Sequence, residues 1–174
     1  MNDLELQTQR LTLLAMTAEL VDALREDRPS AEALVNAEIP PGFPDAELGG
    51  YLPVYGERLR ADPSALGFGP WLAVSRDERV VVMNAGFLGK PGADADIELG
   101  YGTEPAHRNR GYATEAAAAL AAWGLAQPGV ERVVSRCDPA NAPSLRVLEK
   151  AGFVRRGEAD GMLLWEWDPE ASGL

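Results

Sequence analysis

Apolar residues recur along this chain with two different spacings, and the change from one to the other marks out its elements. Alternation around residues 5–15 predicts a first strand, with Thr17 as the N-cap of a helix to about Glu26. Pro29-Ser30 opens a second short helix ending near Ala37, and Ile39-Pro40-Pro41-Gly42-Phe43-Pro44 must be a loop. Helical spacing returns at 45–60, although Gly49, Gly50 and Pro53 count against its first half. Strands follow at about 70–76, 79–89 and 94–103, then a helix over 111–126 that Gln127-Pro128-Gly129 stops. A strand at 130–137, a helix at 141–151 and a hairpin pairing 152–158 with 161–168, turning at Gly161, complete the order. Mixed order without repeats or linkers predicts an α/β (α+β) fold spanning 1–174 as a single domain.

Two helices show their buried faces in the sequence. Ala113, Ala116, Ala117, Leu120, Ala121 and Gly124 form a small-residue face that allows close approach to a sheet. Leu145, Leu148 and Ala151 share one side of the later helix, with Gly152 as terminator and Phe153 as exit anchor. Core packing accounts for both patterns.

The segment between strand 94–103 and the alanine-rich helix carries the chemistry. Arg108-Asn109-Arg110-Gly111-Tyr112-Ala113-Thr114-Glu115 forms a turn leading into a helix N-terminus, where unpaired amides and the helix dipole favour an anion. Gly111 lets the backbone approach a ligand, and Ala113 adds little bulk. A pyrophosphate is the expected guest. No Lys follows the glycine as in a P-loop, and the G-x-G-x-x-G dinucleotide fingerprint is absent.

Composition narrows the setting. No apolar run approaches the roughly 18 residues of a membrane helix. The acidic start, Met1-Asn2-Asp3-Leu4-Glu5, lacks a signal-peptide pattern and makes the cytoplasm the expected location. A single cysteine, Cys137, excludes an intrachain disulfide and reads as a small buried residue; with one histidine, no metal is expected. The net charge of −11 argues against nucleic acid as a partner. His107, Arg108 and Arg110, with Arg146 and Lys150 on the later helix, form local basic reversals. An acidic body with a basic notch would draw a cationic acceptor while holding an anionic cofactor, although acidity also simply maintains solubility.

The pattern R-x-x-G-x-A between strand and helix resembles the acyl-CoA pyrophosphate loop of the GNAT N-acetyltransferases. Asn141-Ala142-Pro143-Ser144-Leu145-Arg146-Val147-Leu148-Glu149-Lys150-Ala151-Gly152-Phe153 resembles the N-x-x-S-x-x-x-L-E-K-x-G-F segment of the branch containing the ribosomal-protein N-terminal acetyltransferases. Thr8-Gln9-Arg10-Leu11-Thr12-Leu13 is similar to that branch's first strand, and the likeness runs from about Leu6 to Trp167. It implies a three-layer fold around a mostly antiparallel twisted sheet of about seven strands, splayed between 94–103 and 130–137. It also implies acetyl transfer from acetyl-CoA to a primary amine, on a peptide N-terminus or a small molecule, by direct attack in a ternary complex. A homodimer is implied too, though no sequence feature bears on it.

The resemblance then assigns residues. CoA would contact Tyr101, Gly102, Thr103, Arg108, Asn109, Arg110, Gly111, Tyr112, Ala113, Thr114 and Asn141. Asn141 would bond the pantetheine amide, or cap the following helix, or both. Glu98 would be the general base: strand alternation sets it opposite Ile97, Leu99 and Tyr101, with a surface or structural carboxylate as the competing reading. A backbone N–H in Tyr101-Gly102-Thr103 would stabilise the oxyanion, and Gly100 and Gly102 suit a bulge there. Many family members place a proton-donating Tyr where this chain has Leu148. Ser144 is the matching alternative donor, with a first-turn backbone role as its competitor. His107 reads as a solvated loop residue, Glu115 as a charge complementing the helix dipole, and Tyr112 as packing against cofactor or protein.

The acceptor would enter opposite the CoA arm, past Phe43, Tyr51, Tyr55, Phe68, Trp71 or Phe87, with Asp45, Glu47 or Glu57 attracting a cation. Core burial competes for most of these aromatics. The missing tyrosine at 148 keeps a second class open: a non-catalytic acyl-CoA-binding sensor or interaction module.

Overall fold

The computed structural model describes residues 4–172; residues 1–3 of the acidic start lie outside it. Eight strands form one mixed sheet in sequence order but for the last two: β1 (Glu5–Gln7), β2 (Leu11–Ala15), β3 (Pro70–Ser75), β4 (Val80–Phe87), β5 (Asp96–Thr103), β6 (Arg132–Cys137), then β8 (Met162–Trp167) beside β7 (Phe153–Ala159). All neighbours are antiparallel except β5 and β6. The single strand foreseen at 5–15 is a hairpin. The polar run Thr8-Gln9-Arg10 turns the chain, with the Leu11 N–H donating to Thr8 Oγ1 at 3.0 Å and the Thr8 N–H to the Leu11 carbonyl at 2.9 Å.

Helices cover both faces. On one side α4 (Tyr112–Leu125) lies across β2, β4, β5 and β6, and α5 (Ala142–Ala151) packs beside it and on β7. Its small-residue face explains the fit: a Cβ on Gly124 would lie 2.7 Å from Ile97 Cδ1 and 2.9 Å from Phe87 Cζ. On the other side α1 (Ala18–Glu26), α2 (Arg28–Val35) and α3 (Ala46–Ala61) bury Leu20, Val21, Val35, Leu48, Leu52 and Leu59 against Leu14, Leu72, Val74 and Val81. Thr17 caps α1, accepting from Leu20 N at 3.2 Å, whereas α2 is capped by Asp27 and begins earlier than its proline suggested.

The α3 helix is continuous through Gly49, Gly50 and Pro53. Asp45 caps it with a 2.8 Å bond from Leu48 N, and one stripe of buried apolar residues holds it down. Burial of that stripe outweighs roughly 3 kcal/mol of proline penalty.

The sheet opens where the parallel pair ends. Register between β5 and β6 stops at Glu98–Val134. The next carbonyl, Leu99, accepts from the buried Ser135 hydroxyl at 2.9 Å instead of from backbone. Beyond it β5 continues against β4 alone, from Leu99 to Thr103. Leu88 N donates to Glu98 O, so even-numbered residues of β5 aim their peptide groups at β4. Those of Tyr101 and Thr103 therefore face the open edge.

Candidate active site

A cleft of about 860 Å³ occupies the splay, lined by the end of β5, the loop before α4 and the first turns of α5. Tyr101, Gly102, Thr103, Arg108, Asn109, Arg110, Gly111, Tyr112, Ala113, Thr114, Asn141 and Ser144, all anticipated from the sequence, line it together. Gly111 is the N-cap of α4 in the left-handed region, φ +80, which places the following amides at the cleft wall. The N–H groups of Gly111, Tyr112, Ala113 and Thr114 donate to no acceptor among the described residues. Four free donors converging at a helix N-terminus make a cradle for a doubly charged phosphate group.

The side chains of that loop serve mainly to hold it. Arg110 turns its guanidinium to the protein, pairing with the Glu78 carboxylate, meeting His107 Nδ1 at 3.1 Å, and stacking 5.1 Å from the Tyr112 ring centroid. Arg10 covers the ring as well, at 4.9 Å, and Tyr112 is buried there. His107 is half-buried against Arg110 and Glu78, and is not the solvated residue its loop position suggested. The Arg110 hydrogen bond and charge hold the Glu78 carboxyl below the usual carboxylate range against the cost of desolvation.

Glu115 does more than complement the helix dipole. Its carboxylate accepts from Thr8 Oγ1 at 2.6 Å, from Arg10 N at 2.7 Å and from Arg10 Nε at 2.7 Å. Arg10 Nη1 in turn donates to the Arg110 carbonyl at 2.8 Å, so the β1–β2 turn braces the loop. Burial pushes the Glu115 carboxyl up, and these three hydrogen bonds, with the arginine charge, more than reverse it, leaving the group below its ordinary value.

Across the cleft, Asn141 caps α5 by accepting from Ser144 N at 3.2 Å. Ser144 Oγ lies 3.0 Å from the Tyr101 hydroxyl, which also donates to the Ser144 carbonyl at 3.2 Å. Burial pushes the Tyr101 phenol up to about 12, only partly offset by its bond to Ser144. Leu148 is fully buried. Cys137, also buried, lies under this end of the cleft with its thiol toward the carbonyls of Asp138 and Asn141.

A second cavity, of about 370 Å³, lies on the α3 side of the sheet. Its lining includes Asp45, Glu47, Leu48, Tyr51, Arg58, Phe87 and Leu88. Of the six aromatics foreseen for an acceptor cleft, Tyr51 lines it; Phe43, Tyr55, Trp71 and Phe87 are core, the Phe87 ring lying under α4 against Trp123, and Phe68 packs on Trp123 as well. Burial also raises the Tyr55 phenol, whose hydroxyl donates to the Met16 carbonyl at 3.1 Å. Glu57 instead pairs with Arg60.

The two cavities share four residues: Asp45, Asn84, Tyr101 and Gly102. Asn84 had not been foreseen, although one amide inside Val80-Val81-Val82-Met83-Asn84-Ala85-Gly86-Phe87 is a visible break in an apolar strand. Glu98 lies on the Gly100 face of β5, but it lines neither cavity and its carboxylate sits 3.6 Å from Arg136 Nε. Among the described residues no group of His, Cys, Asp and Glu is placed to hold a metal ion, and no helix is long and apolar enough to cross a membrane.

A splayed mixed sheet, a free-amide loop at the splay and cavities meeting beneath it define an acyl-CoA-dependent transferase. The chain belongs to the GNAT acetyltransferase family: the acetyltransferase (GNAT) domain matches residues 10–154. The uncharacterized N-acetyltransferase YjdG of Bacillus subtilis (strain 168) is 34% identical over 149 residues, 86% of this chain and 89% of that protein. Similar solved folds include a ribosomal-protein-S5-alanine acetyltransferase from Vibrio fischeri, with TM-score 0.63, 16% identity and coverage of 96% of this chain and 100% of that one. Mycobacterium smegmatis RimJ in complex with CoA-disulfide gives TM-score 0.62 and 21% identity, covering 94% of this chain and 84% of that one. The activity common to the family is N-acetylation from acetyl-CoA.

Proposed function

We propose that this chain, acting as one domain throughout 1–174, acetylates a primary amine by direct attack on acetyl-CoA within a ternary complex. The observation that carries this reading is the meeting of the two cavities at Asp45, Asn84, Tyr101 and Gly102, beside four unpaired amides. The larger cavity suits CoA, with the amides of residues 111–114 toward its pyrophosphate and the edge groups of Tyr101 and Thr103 toward its pantetheine arm. Arg146 and Lys150, which line the cleft with no carboxylate partner among the described residues, suit the remaining phosphate charge.

The thioester supplies an activated acetyl group, and the chain's part is to align and to stabilise. The amine must lose a proton to attack. Asp45 lines both cavities, and Glu98 lies two residues along the strand from Gly100, so a water chain would link it to the amine. The new N–C bond forms as the carbonyl oxygen gains charge, which the Tyr101 N–H at the strand edge is placed to receive. The C–S bond then breaks and the thiolate departs. A phenol near 12 lies above a thiol's roughly 8.5, so Tyr101 and Ser144 act as hydrogen-bond donors to the developing sulfur charge and leave full protonation to solvent.

The test is thiol release from acetyl-CoA against polyamines, aminoglycosides, amino acids and short peptides, on wild type, Glu98→Gln and Asp45→Asn. Loss of about 10²-fold in turnover marks the base among the two. CoA binding without thiol release from any acceptor would instead establish the non-catalytic sensor.

A further inference from the structure

Arg58 lines the acceptor-side cavity without a charged partner. Where Arg28, Arg76, Arg79 and Arg108 spend their guanidinium groups on backbone carbonyls, Arg58 bonds no carbonyl and no carboxylate among the described residues. Its neighbours are committed elsewhere: Glu57 bonds Arg60 at 3.2 Å and Asp62 bonds Lys90 at 3.1 Å. Arg58 Nη1 donates only to the Tyr51 hydroxyl, a 3.4 Å contact, and lies 3.8 Å from where a Cβ on Gly89 would stand. No carboxylate comes within 4.0 Å of it among the described residues. The guanidinium therefore sits over the far end of β4, exposed, with donors to spare.

Asp45 stands at the opposite end, where the two cavities join, with Asn84 on the floor beneath. From Asn84 to Leu88 is four residues of extended chain, about 13 Å at roughly 3.3 Å per residue. Between the ends the lining includes the apolar Leu48 and Pro70. The cavity is thus anionic where the amine must arrive, apolar along its length and cationic at its outer end.

Resting on the acetyltransferase reading above, we infer that the acceptor is an extended peptidyl amine whose third or fourth residue presents a carboxylate to Arg58. An extended peptide advances about 3.3–3.6 Å per residue, so a carboxylate three residues from the α-amine spans the floor. Acidic groups earlier in the chain fall short of the guanidinium, and a polyamine would set a cation against it. The carboxylate can belong to an acidic side chain of a protein N-terminus or to the C-terminus of a free short peptide, which present the same group at the same reach.

Tetrapeptides with apolar second residues decide the matter, made with Glu or Gln at position three or four and with amidated or free C-termini. Thiol release from acetyl-CoA is measured on wild type, Arg58→Gln and Arg58→Glu. For an exposed charge contact, kcat/KM is expected to favour Glu over Gln by about three- to tenfold in wild type, through KM, and to lose that preference in Arg58→Gln. Arg58→Glu should prefer Lys at the same position. A free C-terminus that rescues the Gln peptides points to short peptides as the source, and rescue by the side chain alone points to protein N-termini. Equal rates for Glu and Gln peptides in wild type, or a preference for spermidine over all peptides, overturn the inference. Should no amine release thiol, calorimetry of the same peptides with the CoA-loaded protein separates the two claims. A Glu preference that depends on Arg58 keeps the recognition site while the transfer reading falls, and the absence of any preference removes both.

Discussion

Replacing Glu115 by alanine should loosen the cofactor loop from a distance, and its size follows from the contacts. The variant leaves Arg10 N without an acceptor in a half-buried turn, a loss of about 1–3 kcal/mol. Thr8 Oγ1 keeps its bond with Leu11, so its contact with Glu115 adds about 0.5–1 kcal/mol. Arg10 is 40% exposed in its side chain, and water replaces much of the ion pair. Loss of the first-turn charge adds about 0.3–1 kcal/mol, which the higher helix propensity of alanine partly offsets. Together these give about 2–4 kcal/mol, or a fall in Tm of about 5–12 °C for a chain of this size. The effect has a defined pH window. The folded carboxyl lies below its ordinary 4.5, so its stabilisation is complete above that value and disappears as pH falls through the folded value. The gap in Tm between wild type and variant should therefore be constant near neutrality and close in acid. Because Arg10 Nη1 also holds the Arg110 carbonyl, CoA affinity measured by calorimetry should fall about two- to tenfold. A Tm within about 2 °C of wild type, or a gap unchanged through the acid range, would refute the bracing role.

Three other perturbations probe separate parts of the site. Gly86→Ala would bring a Cβ within 2.2 Å of the Gly69 carbonyl at φ +153, and should lower stability by about 3 kcal/mol in urea titration; an unchanged midpoint would contradict that approach. Tyr101→Phe keeps the buried ring and removes the hydroxyl facing Ser144, so turnover should fall about tenfold or more while KM for acetyl-CoA holds; a loss confined to KM would count against a role in stabilising developing charge. Arg146→Ala with Lys150→Ala should weaken CoA binding about tenfold and flatten its dependence on salt, and an unaltered salt slope would place the phosphates elsewhere.

Most of the larger cleft was legible in the sequence because its physics is local. A glycine between strand and helix and an asparagine immediately before a serine-containing helix fix backbone conformation within a few residues, and Gly111 and Asn141 take those conformations in the structure. The acceptor side was not legible in the same way. Aromatic residues serve a core and a pocket equally, and only three-dimensional packing separated Tyr51 from Phe43, Tyr55, Trp71 and Phe87. Arg58 carries no local signature, since what distinguishes it is the commitment of Glu57 and Asp62 to other partners. The α3 helix shows the converse, a local signal from two glycines and a proline overridden by burial of one long apolar stripe. Glu98 fell between the two cases: alternation gave its face correctly, but its partner, Arg136, sits on a neighbouring strand whose register the sequence does not state.

A single irregularity in the sheet accounts for both cavities meeting where they do. Had β5 and β6 stayed paired beyond Glu98, the peptide groups of Tyr101 and Thr103 would be consumed by the ladder and the cleft would close. Ser135 marks the point of departure, its buried hydroxyl satisfying the Leu99 carbonyl that a strand neighbour would otherwise serve. From there β5 needs support from elsewhere, and β4 supplies it up to Thr103. The Tyr101 side chain crosses the gap to Ser144 on α5, tying the two sides of the splay together through a hydroxyl pair that lines the larger cleft. The same residue thus presents an edge amide without a partner among the described residues, a neutral hydrogen-bond donor and part of the wall shared with the smaller cavity. Opening a sheet exposes backbone groups that need partners, and a ligand with amides along its arm and phosphates at its end would satisfy them in sequence.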